Sequence, residues 1–467
     1  MSLLPRILRN YHTELKLILS FYLLFVCFTE ISPRIGNENV QYALTQAIVD
    51  DHSLIIDRFV TPLMEDKAFN DSHYYSDKPP GSSLLMVPQY FFFRNVFGVY
   101  EEPLTQWLVI VTSMCLYSAI SVVIFYHLLS LFVLEKRRIS FTFLYVFGTL
   151  MFCYSTIGVQ EQFVTPLVLT SFYFGLKYDD RRGLFLSGLF AGLSFFTRYQ
   201  TLVMVIWLIP FFLINKEKRK NLHWFLIPFA SVTLSLLLYN YICFSHPFSF
   251  SSMKFVRPTI KPNRATRFWI PSLSDIKLML ISPWRGIFFF SPFLVYTVPG
   301  FFRMIREHWK KGLLLTFSGM SFFGFFFFNM LWYGGSDYGF RYITPGLPFF
   351  TIGACFMFER LRYKKLFMFL SVVSVLICTL GVVTSPFSVQ YSQMNPEHIS
   401  SFVDFNLKYL FVRGANSLLN DVLRHFGLMD VEMSIYTTLM VFLAFYLLWR
   451  DELHSEPEED DVQAISG

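Results

Sequence analysis

Nine polar side chains stand out in an otherwise apolar sequence: Glu38, Asp77, Lys78, Glu161, Arg198, Asn240, Arg285, Asp337 and Arg341. Two have chemistry legible from their surroundings. Glu38, near the start of NENVQYALTQAIVDD, is either an acid in a first helical turn, favoured by the helix dipole, or a carboxylate presented as a general base. Spacing alone does not choose between them. Lys78 lies in YYSDKPPGSSLL, where Pro79 and Pro80 fix φ at about −65° and bar a helix through the lysine. A compact ammonium on a stiff mount suits a phosphate. Gly81, Ser82 and Ser83 then begin an apolar helix, whose N-terminus also favours an anion. The plainer reading is a loop lysine among lipid headgroups.

Composition says where such residues must sit. With 54% hydrophobic and 15% charged residues in 467, the chain is neither a soluble domain nor a disordered one, and reads as an all-α polytopic membrane protein. A crossing takes roughly 20 apolar residues. Runs near 15–31, 104–133, 139–157, 163–177, 222–244, 286–302, 312–331, 344–358, 366–385 and 433–449 qualify. The stretch 183–214 reads as two short helices meeting near Thr197-Arg198-Tyr199, giving about twelve crossings. The basic run at the N-terminus imitates a signal peptide, but Glu30-Ile31-Ser32-Pro33-Arg34 has no small-residue cleavage site, so a retained first helix is expected.

The short clusters at 135–138, 179–182, 216–220, 303–311 and 359–365 fall on one side, which the positive-inside rule makes cytoplasmic, with both termini. The formal charge of +6 is thereby explained by topology rather than by nucleic acid. Residues 1–449 form one membrane unit and 450–467 an acidic cytoplasmic tail. Outside lie 32–103, 386–432 and a basic loop, 245–285, with Lys254, Arg257, Lys261, Arg264, Arg267 and Lys277. In the first, Val40, Ala43, Leu44, Ala47 and Ile48 mark an amphipathic helix expected along the membrane surface. The six cysteines lie in apolar runs without metal-ligand or disulfide spacing. No internal repeat of the kind found in transporter halves is visible. Taken singly, each of the nine polar residues is an interface anchor or a helix-ending charge. Drawn from six or more helices onto one outer face, they predict a pocket.

Several stretches resemble a known family. NENVQYALTQAIVDD is similar to the acidic motif in the first outer loop of the GT-C superfamily of integral-membrane glycosyltransferases. YYSDKPPGSSLLMVP resembles the Lys-Pro-Pro segment of its aminoarabinose-transferase and protein O-mannosyltransferase-like branch, and LWYGGSDYGFRYITPGLP a later stretch of that branch. FTRYQ, LYNYICFSHPF and SPWRGIFFFSP occur in the expected order. The resemblance implies a GT-C-type fold and a sugar donor carried on polyprenyl monophosphate. By it Glu38, four residues before Tyr42, takes the catalytic carboxylate position. Lys78 takes the lipid-phosphate contact, Arg341 a second phosphate or sugar contact, and Arg198 a further one. Asp77, Tyr42, Glu161, Asn240, Arg285 and Asp337 are the other pocket candidates. Asn39 replaces the usual second acid, and Glu161 stands where relatives often have His or Asp; these departures leave the sugar and any metal ligation open.

The expected activity is inverting transfer to a lipid, glycan or protein acceptor on the extracytoplasmic face of the plasma (inner) membrane. No divalent metal is obligatory, though one is compatible, and no nucleic acid is involved. A lipid-linked-sugar flippase would use the same cations without a base, and a membrane scaffold would leave the outer cluster without a purpose.

Overall fold

The computed structural model describes residues 12–29, 37–61, 64, 66–254, 270–329, 338–384 and 406–454. Asp337, the four basic residues from Arg257 to Arg267 and the acidic run 456–461 lie outside them. Most elements follow the apolar runs, but 139–157 and 286–302 are not single helices: the first breaks after Phe147 at Gly148, and in the second Ser291-Pro292 delays the long helix to Thr297. The elements are α1 (His12–Cys27), α2 (Asn37–Asp50), β1 (Ala68–Asn70), β2 (His73–Tyr75), α3 (Gly81–Phe91), α4 (Glu102–Leu129), α5 (Arg138–Phe147), α6 (Gln160–Lys177), α7 (Arg181–Thr197), α8 (Tyr199–Ile214) and α9 (Leu222–Phe244). Then come α10 (Leu273–Ile281), α11 (Thr297–Glu307), α12 (Trp309–Phe327), α13 (Leu347–Phe358), α14 (Lys365–Val383), α15 (Lys408–Arg413), α16 (Leu418–His425) and α17 (Val431–His454). Four of them, α4, α9, α14 and α17, are long and apolar enough to cross a membrane, and the chain is an integral membrane protein.

Local chemistry sets the breaks. The Asp180 side chain accepts from the Gly183 N–H at 3.1 Å, so the charged cluster starts α7 by capping it. That helix stops because Arg198 is extended (φ −153°, ψ 117°), and α8 restarts at once. The arginine expected at a helix junction therefore joins the two helices there, its N–H donating to the Ser194 carbonyl at 2.9 Å and its carbonyl accepting from the Thr201 N–H at 3.1 Å.

Lipid gives no water-driven gain for helix association, so packing must hold the bundle together. Part of it is aromatic: Phe21 of α1 lies edge-on to Phe143 (5.4 Å) and Phe445 (5.1 Å). On the same helix pair, Trp449 Nε1 donates to Ser20 Oγ at 3.1 Å and Lys16 pairs with Glu452. The last helix thus continues to His454, beyond residue 450, where the acidic tail was expected to begin.

The segment between α1 and α4 departs from an all-α plan. α2 buries Val40, Ala43, Leu44 and Ala47 against Ile56 and Met64. Its polar side is also covered, because Ser83 Oγ donates to the Gln41 carbonyl (2.9 Å) and Thr45 Oγ1 to that of Ser83 (3.1 Å). After it, β1 and β2 pair antiparallel through Asp71 and Ser72 (φ 46° and 71°), a two-residue turn with both centres left-handed, which matches strand twist. Asn70 Nδ2 reaches the Cys243 carbonyl at 3.2 Å, and Tyr75 packs edge-on to Phe244 at 5.6 Å. The hairpin is therefore moored to the end of α9, and its second strand leads straight into Asp77 and Lys78.

Candidate active site

Glu38 is 4% exposed and both carboxylate oxygens are held. Gln106 Nε2, from the first turns of α4, donates to Oε1 at 3.1 Å, and the Gly158 N–H to Oε2 at 3.2 Å. A Cβ at position 158 would stand 2.6 Å from Glu38 Cγ and 2.7 Å from Cδ, so only glycine lets the backbone approach this closely.

Two residues beyond Gly158, α6 begins, and its first turn is polar and buried. Gln160 Nε2 donates to the Thr197 carbonyl at the end of α7. Glu161, 1% exposed, meets Arg198 Nη1 at 2.6 Å and Arg341 Nε at 3.5 Å through the same oxygen. The Tyr342 ring lies 5.5 Å from the Arg198 guanidinium and 5.1 Å from that of Arg341, both within cation–π range. Glu161 Oε2 and Arg198 Nε have no hydrogen-bond partner among the described residues. Buried polar atoms in that condition are rare and call for an explanation.

Lys78 stands on the hairpin's continuation. Ser76 Oγ accepts from the Lys78 N–H and donates to its carbonyl, both at 3.1 Å, a bend that works with the two prolines. The ammonium pairs with Asp77 at 2.5 Å and Asp66 at 3.8 Å. Burial pushes the Lys78 pKa down, but Asp77, then Asp66 and Tyr342, outweigh it and hold the ammonium above the ordinary lysine value. Of this pair the lysine keeps an accessible edge, with its side chain 19% exposed against 3% for Asp77. α3 starts directly behind at Gly81, where a Cβ would fall 2.3 Å from Thr197 Oγ1.

The structure thus joins the base candidate to the cations through one short segment. Gly158 touches Glu38, Gln160 holds Thr197, Glu161 holds both arginines, and Thr197 abuts Gly81, where the helix after the lysine begins. The remaining candidates serve this frame. Asn240 accepts from the Tyr199 hydroxyl (3.0 Å) and donates to the Pro247 carbonyl (3.2 Å). Tyr199 is 3.3 Å from Ser251 Oγ, which donates to the Asp77 carbonyl at 2.8 Å, so Asn240 buttresses the lysine mount. Arg285 donates to the Gly339 carbonyl at 3.0 Å, two residues before Arg341. Tyr42 donates to Glu102 at 3.0 Å, and burial, then Glu102, raises its pKa. Asp77 is the close partner of Lys78. Sequence reasoning missed Gln106, Gly158, Asp66, Tyr199 and Ser251; only Tyr199 lay in a stretch already singled out.

No protein-family model matches this sequence, and no curated protein does. Two solved structures match in fold. One is the crystal structure of ArnT from Cupriavidus metallidurans bound to undecaprenyl phosphate, 15% identical, with 96% of this chain and 78% of that one covered at a TM-score of 0.51. The other is the apo state of that protein, 13% identical, covering 94% and 72% at 0.52. The resemblance to the aminoarabinose-transferase branch drawn from short motifs is matched by a likeness of fold to ArnT along nearly the whole chain.

Proposed function

We propose that the protein is an inverting glycosyltransferase that moves a sugar from a polyprenyl-monophosphate donor to an acceptor hydroxyl or amine. Glu38 takes the acceptor's proton as its oxygen or nitrogen attacks the anomeric carbon, and polyprenyl phosphate leaves from the opposite face. A positioned base of this kind contributes about 10²–10⁴-fold. Lys78, with Arg341 and Arg198, stabilises the charge that gathers on the departing phosphate. The observation that carries this reading is the segment Gly158–Glu161, which holds a buried carboxylate on one side and both arginines on the other. The neighbouring fold, solved with undecaprenyl phosphate, supports the donor class. The acceptor is a lipid, a glycan or a protein.

The reading includes about twelve crossings, made by the four long apolar helices and the shorter ones, with both termini cytoplasmic and the site outside. There a flipped lipid-linked sugar is available and a soluble nucleotide sugar is not. It also includes a reaction without an obligatory metal, so transfer should persist in EDTA. A flippase would have the same cations and no use for a carboxylate oriented by two donors. Reconstitution in liposomes separates the two: a transferase releases free polyprenyl phosphate as sugar reaches the acceptor. Sugar lipid crossing the bilayer with no transfer would establish the flippase instead.

A further inference from the structure

Glu38 belongs to a polar ladder between two helices that the proposed reaction does not itself require. On α2, Glu38, Tyr42 and Gln46 are spaced by four and so share a face; on α4, Glu102 and Gln106 do the same. Glu102 takes the Tyr42 hydroxyl at 3.0 Å and Gln46 Nε2 at 3.1 Å. Gln106, a turn further on, gives its amide to Glu38 Oε1 at 3.1 Å and to Asn39 Oδ1 at 3.0 Å. The helices therefore run antiparallel along matched polar rows, and the last rung ends on the candidate base.

We infer that Gln106 and Asn39 act as a positioning pair for Glu38, with Asn39 fixing which face of the Gln106 amide meets the carboxylate. A glutamine side chain turned over would present its carbonyl where its two N–H groups now point. Two acceptors side by side, Glu38 Oε1 and Asn39 Oδ1, both demand the N–H edge, so the amide has one satisfied orientation. An aspartate at position 39 would accept equally well but would set a second negative charge beside the first and divide one amide between two anions. Asparagine supplies the acceptor without the charge. With the Gly158 N–H on the other oxygen, the carboxylate plane is fixed from both sides.

This inference rests on the reading of Glu38 as the base, and the variants separate the two. In a reconstituted transfer assay, Gln106→Leu should lower kcat by about 10–100-fold, the usual cost of losing a group that orients a reacting side chain. The donor KM and binding of undecaprenyl phosphate should stay within about twofold, because the amide meets neither, and retained lipid binding also reports that the variant is folded. Gln106→Asn keeps the amide but falls one methylene short, so it should lose kcat to a similar degree; it carries the test if the leucine variant does not fold. Asn39→Leu should lose less, about fivefold, and the double variant should be no slower than Gln106→Leu alone, since Asn39 works through Gln106. Strictly additive losses, a loss confined to KM, or Gln106→Leu and Gln106→Asn turning over at the wild-type rate would overturn the pair. If Glu38→Gln itself turns over normally, the base reading fails. If Glu38→Gln is inactive while both Gln106 variants are fully active, only the positioning pair fails.

Discussion

Glu38 and the cations opposite it are held by contrasting means. The carboxylate is met by a side-chain amide and a backbone N–H, uncharged donors that aim it. Lys78, Arg198 and Arg341 are met by carboxylates, those of Asp77, Asp66 and Glu161. A cation beside an acid depresses its proton affinity, commonly by about 1–3 pKa units, so neutral donors orient a base at less cost to its basicity. Buried cations present the reverse problem, because leaving them without counter-charge costs several kcal/mol. Among the described residues, these three cations are met by three carboxylates. One end of the site is arranged for aim and the other for charge balance.

That contrast can be broken or sharpened by substitution. Glu38→Gln should cost the most, about 10²–10⁴-fold in transfer, with undecaprenyl phosphate binding intact; wild-type rates in a reconstituted assay would remove the base. Glu161→Gln should follow, because two guanidinium groups would lose their shared carboxylate. Breaking a buried pair costs about 3–5 kcal/mol, read as a lower Tm in detergent, and an unchanged Tm would mean the triad is not a structural unit. Lys78→Ala should weaken donor binding by about 1.5–3 kcal/mol, the range of a hydrogen bond to a charged group; titration with undecaprenyl phosphate measures it, and unaltered affinity would end its role. Smallest should be Gly81→Ala, an overpacking cost of about 1–3 kcal/mol that shifts Lys78 without touching its charge. Its effect should appear in stability and donor affinity, with Glu38 chemistry unaffected once donor saturates.

Much of this contrast was legible in the sequence on the cation side and little on the carboxylate side. Charges in an apolar chain draw attention because they are costly, and the break at Arg198 follows from a run too long for one crossing. The start of α3 follows from two prolines and a glycine. Gln106 escaped notice because one uncharged amide in an apolar run is inexpensive. Its four-residue spacing from Glu102 is visible in the sequence, but its pairing with a helix some sixty residues earlier is a tertiary fact. Gly158 has no local signal at all, since its importance lies in what stands opposite. The hairpin went unread because its turn is Asp71-Ser72, without the glycine that usually announces such a turn. Its strands are only three residues long.

The contact between Gly81 and Thr197 bears on how such a protein can change over generations. With no space for even a methyl group between them, neither position can drift freely while the other stays as it is. The lysine's support and the arginine-bearing break would then vary as one heritable unit, with a change on one side weighing on what the other side tolerates.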